Sequence, residues 1–267
     1  MNKSDFLAEE IFKRYGNVRR ARGPFLYTSK NVRLTDLYQE AGRAVLGWGG
    51  SSAFTVLKNV LERGANGSFI TGAEYRLEKA VSELFDSKRT IAVYYSKDAA
   101  LKAGLALKKN PLVWIPWSFE KKIWSEESAL VLEAPLPWTE GIAILALKNE
   151  DGAETEKKEF PEEGKIRLSS PLAEAATRSI YNMIAALQER QEKNWFIYDR
   201  SLTMYFERKG PWLFPKVGEE DYDDFMLHCL DCGIVISPER NQPSLVPFGA
   251  DKGVFSKLDK NPFGGEK

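Results

Sequence analysis

Cysteine and histidine are almost missing from this chain: 267 residues contain two cysteines and one histidine. Cys229 and Cys232 lie too close together to staple distant segments, which excludes a disulfide scaffold and makes a reducing cytoplasm the expected compartment. A structural zinc site wants four ligands. His228 with the two cysteines gives only three, all on one expected helix, so these read as ordinary helix positions and no metal is expected. A Ser-His-Asp triad would have to use His228, and no serine-bearing nucleophile elbow is visible, which argues against a hydrolase.

An excess of charge is missing too, because 38 basic residues offset 38 acidic ones. No global field draws in a phosphate backbone, and a nucleic-acid partner is not expected. The local cluster "RRARG" at 19–23 reads as a solvated turn, with anion contact as the second reading. Long apolar runs are absent as well. "IAILAL" at 142–147 falls far short of the roughly 20 residues that span a bilayer, so no membrane association is expected. The start of the chain has neither a continuous apolar stretch nor a small-residue cleavage site. What remains is a globular composition, 43% hydrophobic, 28% charged and 12% aromatic, too apolar for disorder. The length suits one large domain, or one with a smaller lobe attached.

Periodicity supplies the elements. Phe6, Leu7, Ile11 and Phe12 share a face of a helix over 4–15, with Ser4 as its cap. "GPFLYTSKNVRLTDLY" reads as a hairpin with Phe25 and Tyr27 on one side of its first strand. A helix carrying Phe54, Leu57, Val60 and Leu61 ends at Gly64. In the next, Thr71 and Glu74 have the spacing of a capping box. "TIAVYY", "LVWIPW", "ALVLEA" and "IAILAL" are short, apolar and not strictly alternating, which suits buried strands. The Ala-, Leu- and Lys-rich segment between the first two makes a strand-helix-strand crossover, hence an α/β layer. Residues 148–165 are almost wholly polar and read as an exposed loop or lid. A long helix follows, with Ser170 and Pro171 at its start and a stripe through Leu172, Ala176, Ile180, Met183, Ile184 and Leu187. "WFIYDRSLTMYFERKG" and "GIVISP" read as strands, "YDDFMLHCLDCG" as a helix closed by Gly233, and "KNPFGGEK" as a frayed tail.

Four phrases together resemble the class III aminotransferases, a branch of the fold-type I enzymes that use pyridoxal phosphate. "RGPFLYTSKNVRLTDLYQEAGRAVLGWGG" is similar to the family's opening. "TVLKNVLERGANGSFITGAEYRLEKAVSELF" looks like its next two helices. "SSPLAEAATRSIYNMIAAL" resembles the return to the small domain, where the family usually has Asn-Pro-Leu-Ala, and "CLDCGIVISPERNQPSLVPF" resembles the closing segment. The likeness covers about two thirds of the chain, the ends well and the middle poorly. It implies a reduced α/β large domain over 46–165 and a smaller α+β lobe, built from residues 1–45 and 166–267. It also implies a dimer, either of this chain with itself or of this chain with an intact relative.

The resemblance further implies where the chemistry would sit. The family's phosphate-binding turn, between a strand and a helix, matches "YYSKDAALKAG". Ser96 is kept, while Lys97, Asp98 and Ala99 replace glycine, threonine and glutamate. Lys97 could attract an anion and Asp98 would repel one. These three residues are the candidate cofactor contacts, against the plainer reading of an ordinary strand-to-helix turn. The reaction needs a lysine to form the Schiff base with the cofactor and to move the substrate proton. The family's spacing, counted back from Pro171, lands near Leu132, Glu133 and Ala134, where there is no lysine. The nearest downstream, Lys148, opens the polar loop. The aspartate that would pair with the pyridinium nitrogen has no match either. Trp114, Trp117, Phe119 and Trp124 crowd the place where the family sets an aromatic ring against the cofactor. They read first as core, and otherwise as a pocket or partner surface. Trp117 and Glu133 are the candidate substrate contacts.

The expectation is therefore a shortened, catalytically degenerate relative that binds a small molecule or a protein partner, with pyridoxal phosphate possible but no catalytic residue assigned. The rival is an active pyridoxal-phosphate enzyme with a relocated lysine, Lys97 or Lys148. A third reading is an unrelated α/β enzyme that uses carboxylates such as Glu133 and Glu140.

Overall fold

A computed structural model describes residues 2–50, 52–118, 123–149 and 159–264. In chain order the elements begin with α1 (Lys3–Tyr15), β1 (Val18–Arg22), β2 (Phe25–Thr28), β3 (Arg33–Asp36), α2 (Ser52–Glu62) and α3 (Ala73–Leu84). Next come β4 (Arg89–Tyr94), α4 (Lys97–Ala106), β5 (Leu112–Val113), β6 (Ala129–Glu133), β7 (Ala143–Lys148) and α5 (Ser170–Glu189). The chain closes with α6 (Asp199–Leu202), β8 (Phe206–Lys209), β9 (Trp212–Pro215), α7 (Tyr222–Asp231), β10 (Ile234–Val235), β11 (Ser244–Leu245) and α8 (Ser256–Lys260).

Two units result, residues 1–49 with 190–267, and residues 50–189. The boundary differs from the one read in the sequence, which put 166–189 with the C-terminal lobe. The small-residue stripe of α5, Ala173, Ala176, Ile180 and Met183, is wholly buried, and the helix packs against α2 and α3 of the second unit. Its apolar face is satisfied there, so the chain changes unit only after Glu189.

The first unit holds two sheets. In one, β1, β2 and β3 form an antiparallel meander, and β10 adds in parallel beside β3. The other has the order β11-β9-β8. "RRARG" is thus not a turn. It is mostly edge strand β1, exposed along most of its length, and its first four residues, 19–22, belong to the strand. "WFIYDRSL" is helical rather than extended, and only Phe206–Lys209 of that segment becomes a strand. The tail is packed as far as Phe263, whose ring lies 5.2 Å from that of Phe225 and whose N–H donates to the Tyr205 hydroxyl at 2.9 Å.

The second unit is the α/β layer, with sheet order β4-β7-β6-β5. β7 runs antiparallel between β4 and β6, and β5 is parallel to β6. β4, β5 and β6 therefore share one direction, and their carboxyl ends meet at one edge. The crossover through α4 joins β4 to β5 at opposite margins of the sheet rather than to a neighbour. Alanines 92, 99, 100, 103, 129 and 143 let α4 lie close against the sheet. The capping box expected at Thr71 does not form. Gly72, in the left-handed conformation, takes the cap position of α3, and the Thr71 hydroxyl sits 2.8 Å from that of Ser170. Glu74 accepts instead from Arg167 at 2.9 Å.

Among the described residues, no helix is long and apolar enough to cross a membrane, and no three His, Cys, Asp or Glu side chains could hold a metal ion. Cys229 and Cys232 are buried thiols, and His228 Nε2 lies 2.7 Å from the carbonyl of Asn261.

Candidate functional site

In open α/β sheets, ligands bind outside the carboxyl ends of the strands. The register brings two of the candidate positions to that edge. Glu133 pairs with Ala143, and Ala143 pairs with Tyr94. Two strand spacings, about 10 Å, separate the backbones of Glu133 and Tyr94. Ser96 follows Tyr94 by two residues. Trp117 follows the carboxyl end of β5, half-buried and left-handed at φ 53°.

Ser96 is the N-cap of α4, with its Oγ accepting the N–H of Ala99 at 3.1 Å. This satisfies one of the backbone donors that the first turn leaves open. Lys97 and Asp98 stand in that turn and are exposed. A second segment crosses the same place. Tyr95 N–H donates to Gly164 at 3.1 Å and Ile166 N–H to Val93 at 2.9 Å, so 164–166 runs along the open margin of β4. Gly164 has φ +74°, and a Cβ there would come within 3.0 Å of the Ala99 Cβ. Phe160 packs on the α4–sheet core, and the Tyr94 hydroxyl donates to Pro161 at 3.0 Å. Burial pushes that phenol up to about 12. The described end of the polar loop, 159–165, is thus a cover for β4 and the start of α4. Residues 150–158, the rest of the expected lid, lie outside the described residues.

The expected aromatic cluster is divided. Trp114 is buried edge-on against Phe85, with ring centroids 5.7 Å apart. The Trp124 carbonyl accepts from buried Arg89 at 2.7 Å, at the start of β4 and so at the opposite edge. Phe119 lies outside the described residues. Lys148 also lies at the opposite edge, paired with Arg89. Along β7 it is roughly 17 Å from Ala143. Glu140 is exposed, whereas Glu133 is half-buried.

No sequence pattern marks Lys165, whose backbone bridges to Tyr94 and whose Nζ lies 2.5 Å from Glu162. Only Gly164, at the end of an acidic run, hinted at a close approach. Asp36 in the first unit was also passed over, although it ends the phrase "RLTD". It is buried, and it accepts the N–H groups of Tyr38 and Gln39 at 2.9 Å and the Trp48 indole N–H at 2.6 Å. Burial outweighs these donors and lifts its carboxyl to about 6.

Comparison with solved structures assigns this architecture to the aminotransferase-like α/β fold. Ornithine aminotransferase from Plasmodium yoelii matches with a TM-score of 0.63 over 97% of both chains, at 11% sequence identity. The ornithine aminotransferase of Toxoplasma gondii, described with partial occupancy of pyridoxal phosphate at its active site, matches with 0.64 over 97% of this chain and 93% of that one, also at 11%. In sequence, a protein of Treponema pallidum described as uncharacterized is 27% identical over 282 residues, covering 89% of this chain and 91% of its own length. One from Borreliella burgdorferi, with the same description, is 22% identical over 251 residues, covering 91% and 88%. No family model matches.

Proposed function

We propose that this chain keeps the aminotransferase-like fold without transaminase turnover and works by binding. One observation carries the reading. From residue 123 through 147, which includes β6, the β6–β7 connection and nearly all of β7, the chain has no lysine. Glu133 ends β6 where the resemblance calls for the amine, and a carboxylate cannot form an imine.

Two features of the structure support it. The Ser96 hydroxyl is engaged by its own helix, and the 160–166 segment lies over the start of α4. The residues present therefore fit pyridoxal phosphate poorly as a covalently held group, and no reaction step is assigned through it. Pairing with a second copy or with an intact aminotransferase relative belongs to the same reading. Exposed Ile115 and Ile123, in the segment after β5, are apolar residues available to such a partner.

The test is an absorbance titration of the purified protein with pyridoxal phosphate. The expected result is the spectrum of the free cofactor. A shifted band that survives desalting would favour the rival, for which Lys97, exposed beside the carboxyl edge, is the better placed of the two lysines first considered.

A further inference from the structure

The first unit carries a cleft that the reading above does not use. Strand alternation puts Arg20 and Arg22 on one face of β1. The hairpin register sets Tyr27 opposite Arg20 and Phe25 opposite Arg22. These four side chains, with Arg190 and Phe248, line a cleft of about 500 Å³. Among the described residues, no acidic side chain lines it. Arg20 and Arg22 are exposed and make no ion pair with any described carboxylate. The Arg20 guanidinium lies 4.5 Å from the Tyr27 ring centroid, and Arg190 lies 3.9 Å from that of Phe248.

Gln39, which also lines the cleft, begins a strained run. Gln39, Glu40 and Ala41 are consecutive non-glycine residues in the left-handed region, at φ 47°, 51° and 57°. Each costs on the order of 1 kcal/mol, and such runs persist only where the surroundings impose them. Asp36 anchors the first of the three. It holds the Tyr38 and Gln39 N–H groups on one oxygen and the Trp48 indole on the other. Gln39 in turn donates to the Val246 carbonyl at 3.2 Å. Next to Trp48, Gly47 sits where a Cβ would come 3.2 Å from the Gly23 Cα, so the backbone closes tightly beneath the arginines. Cation-rich lining, aromatic walls and a strained lining residue, Gln39, occur together.

We propose that this cleft binds a small molecule that carries a phosphate group on a planar apolar body. The guanidinium groups of Arg20 and Arg22 offer forked donors that match phosphate oxygens, and Arg190, whose Nη1 already donates to the Val45 carbonyl at 2.8 Å, adds positive charge. Phe25, Tyr27 and Phe248, each with a guanidinium over its ring, add planar apolar surface for the body to lie against. The inference rests on the first unit alone and holds whether or not a lysine elsewhere takes up a cofactor.

Calorimetric titration of the full-length protein tests it, with phenyl phosphate, inorganic phosphate and isophthalate as probes. Phenyl phosphate should bind best and inorganic phosphate more weakly, because the latter lacks the ring. In the double variant Arg20→Gln/Arg22→Gln, phenyl phosphate affinity should fall about tenfold or more with the melting temperature unchanged, since both side chains are exposed. Arg20→Lys/Arg22→Lys should recover only part of it, because lysine keeps the charge and loses the fork. Three results would overturn the proposal: no probe binding tighter than about 1 mM, equal affinity in the wild type and the glutamine variant, or isophthalate binding more tightly than phenyl phosphate.

Discussion

Ser96 Oγ accepts the Ala99 N–H at 3.1 Å, so a residue that the aminotransferase resemblance would aim at a cofactor phosphate instead closes the first turn of its own helix. Ser96→Ala should therefore behave as the loss of an N-cap. A destabilisation of about 1 kcal/mol is expected in urea unfolding, with the range about 0.5–2. An unchanged unfolding midpoint would show that the hydroxyl is not committed to the helix.

Gly164 is where the cover approaches α4. Its φ of +74° and its closeness to Ala99 both oppose a side chain. Gly164→Ala should cost about 1–2 kcal/mol from the left-handed backbone alone, and faster amide exchange at Tyr95 should accompany it. Tyr95 is exposed and its ring can move aside, so Tyr95→Ala should relieve little of the loss.

Asp36 makes stability depend on pH in an unusual direction. Burial raises its carboxyl from 3.8 to about 6, so between those values the folded chain holds a proton that the unfolded chain has released. Its contribution to stability is fully present below about 4 and falls as the pH rises through about 6. Asp36→Asn should abolish this slope. It should also cost about 1–3 kcal/mol, because an amide nitrogen would face the Trp48 indole N–H. Thermal melts of both proteins from pH 4 to 7 check this: the wild type should lose its margin over the variant as the pH rises, and a constant difference would contradict it.

Lys148 gives a negative control. It pairs with Arg89 at the amino end of β4, across the sheet from Ser96 and Glu133. Lys148→Ala should leave any response to pyridoxal phosphate unchanged. A lost response would place the chemistry at the wrong edge for this account.

Much of this architecture was legible because hydrophobic periodicity is local. The α5 stripe, the apolar strands β6 and β7, and the Ala-rich α4 all announce themselves. Sheet order and unit boundaries depend on contacts distant in sequence, so the sequence pattern assigns α5 to the C-terminal lobe and reads the "RRARG" strand as a turn. Alternation would have revealed the strand, but Arg20 and Arg22 on its exposed face carry no apolar signal. The candidate site was partly legible. Register sets Ser96 and Glu133 at the same edge, but no local pattern could show that 160–166 returns to lie along β4. The Asp36–Trp48 bond was invisible for the same reason, since nothing in "RLTD" says what its carboxylate will meet.

The most direct measurement is borohydride reduction of the protein incubated with pyridoxal phosphate, followed by peptide mapping of every lysine. The account predicts no stoichiometric phosphopyridoxyl adduct at any single position. One lysine modified to completion, Lys97 or another, with the modification lost when that lysine is replaced by alanine, would contradict it.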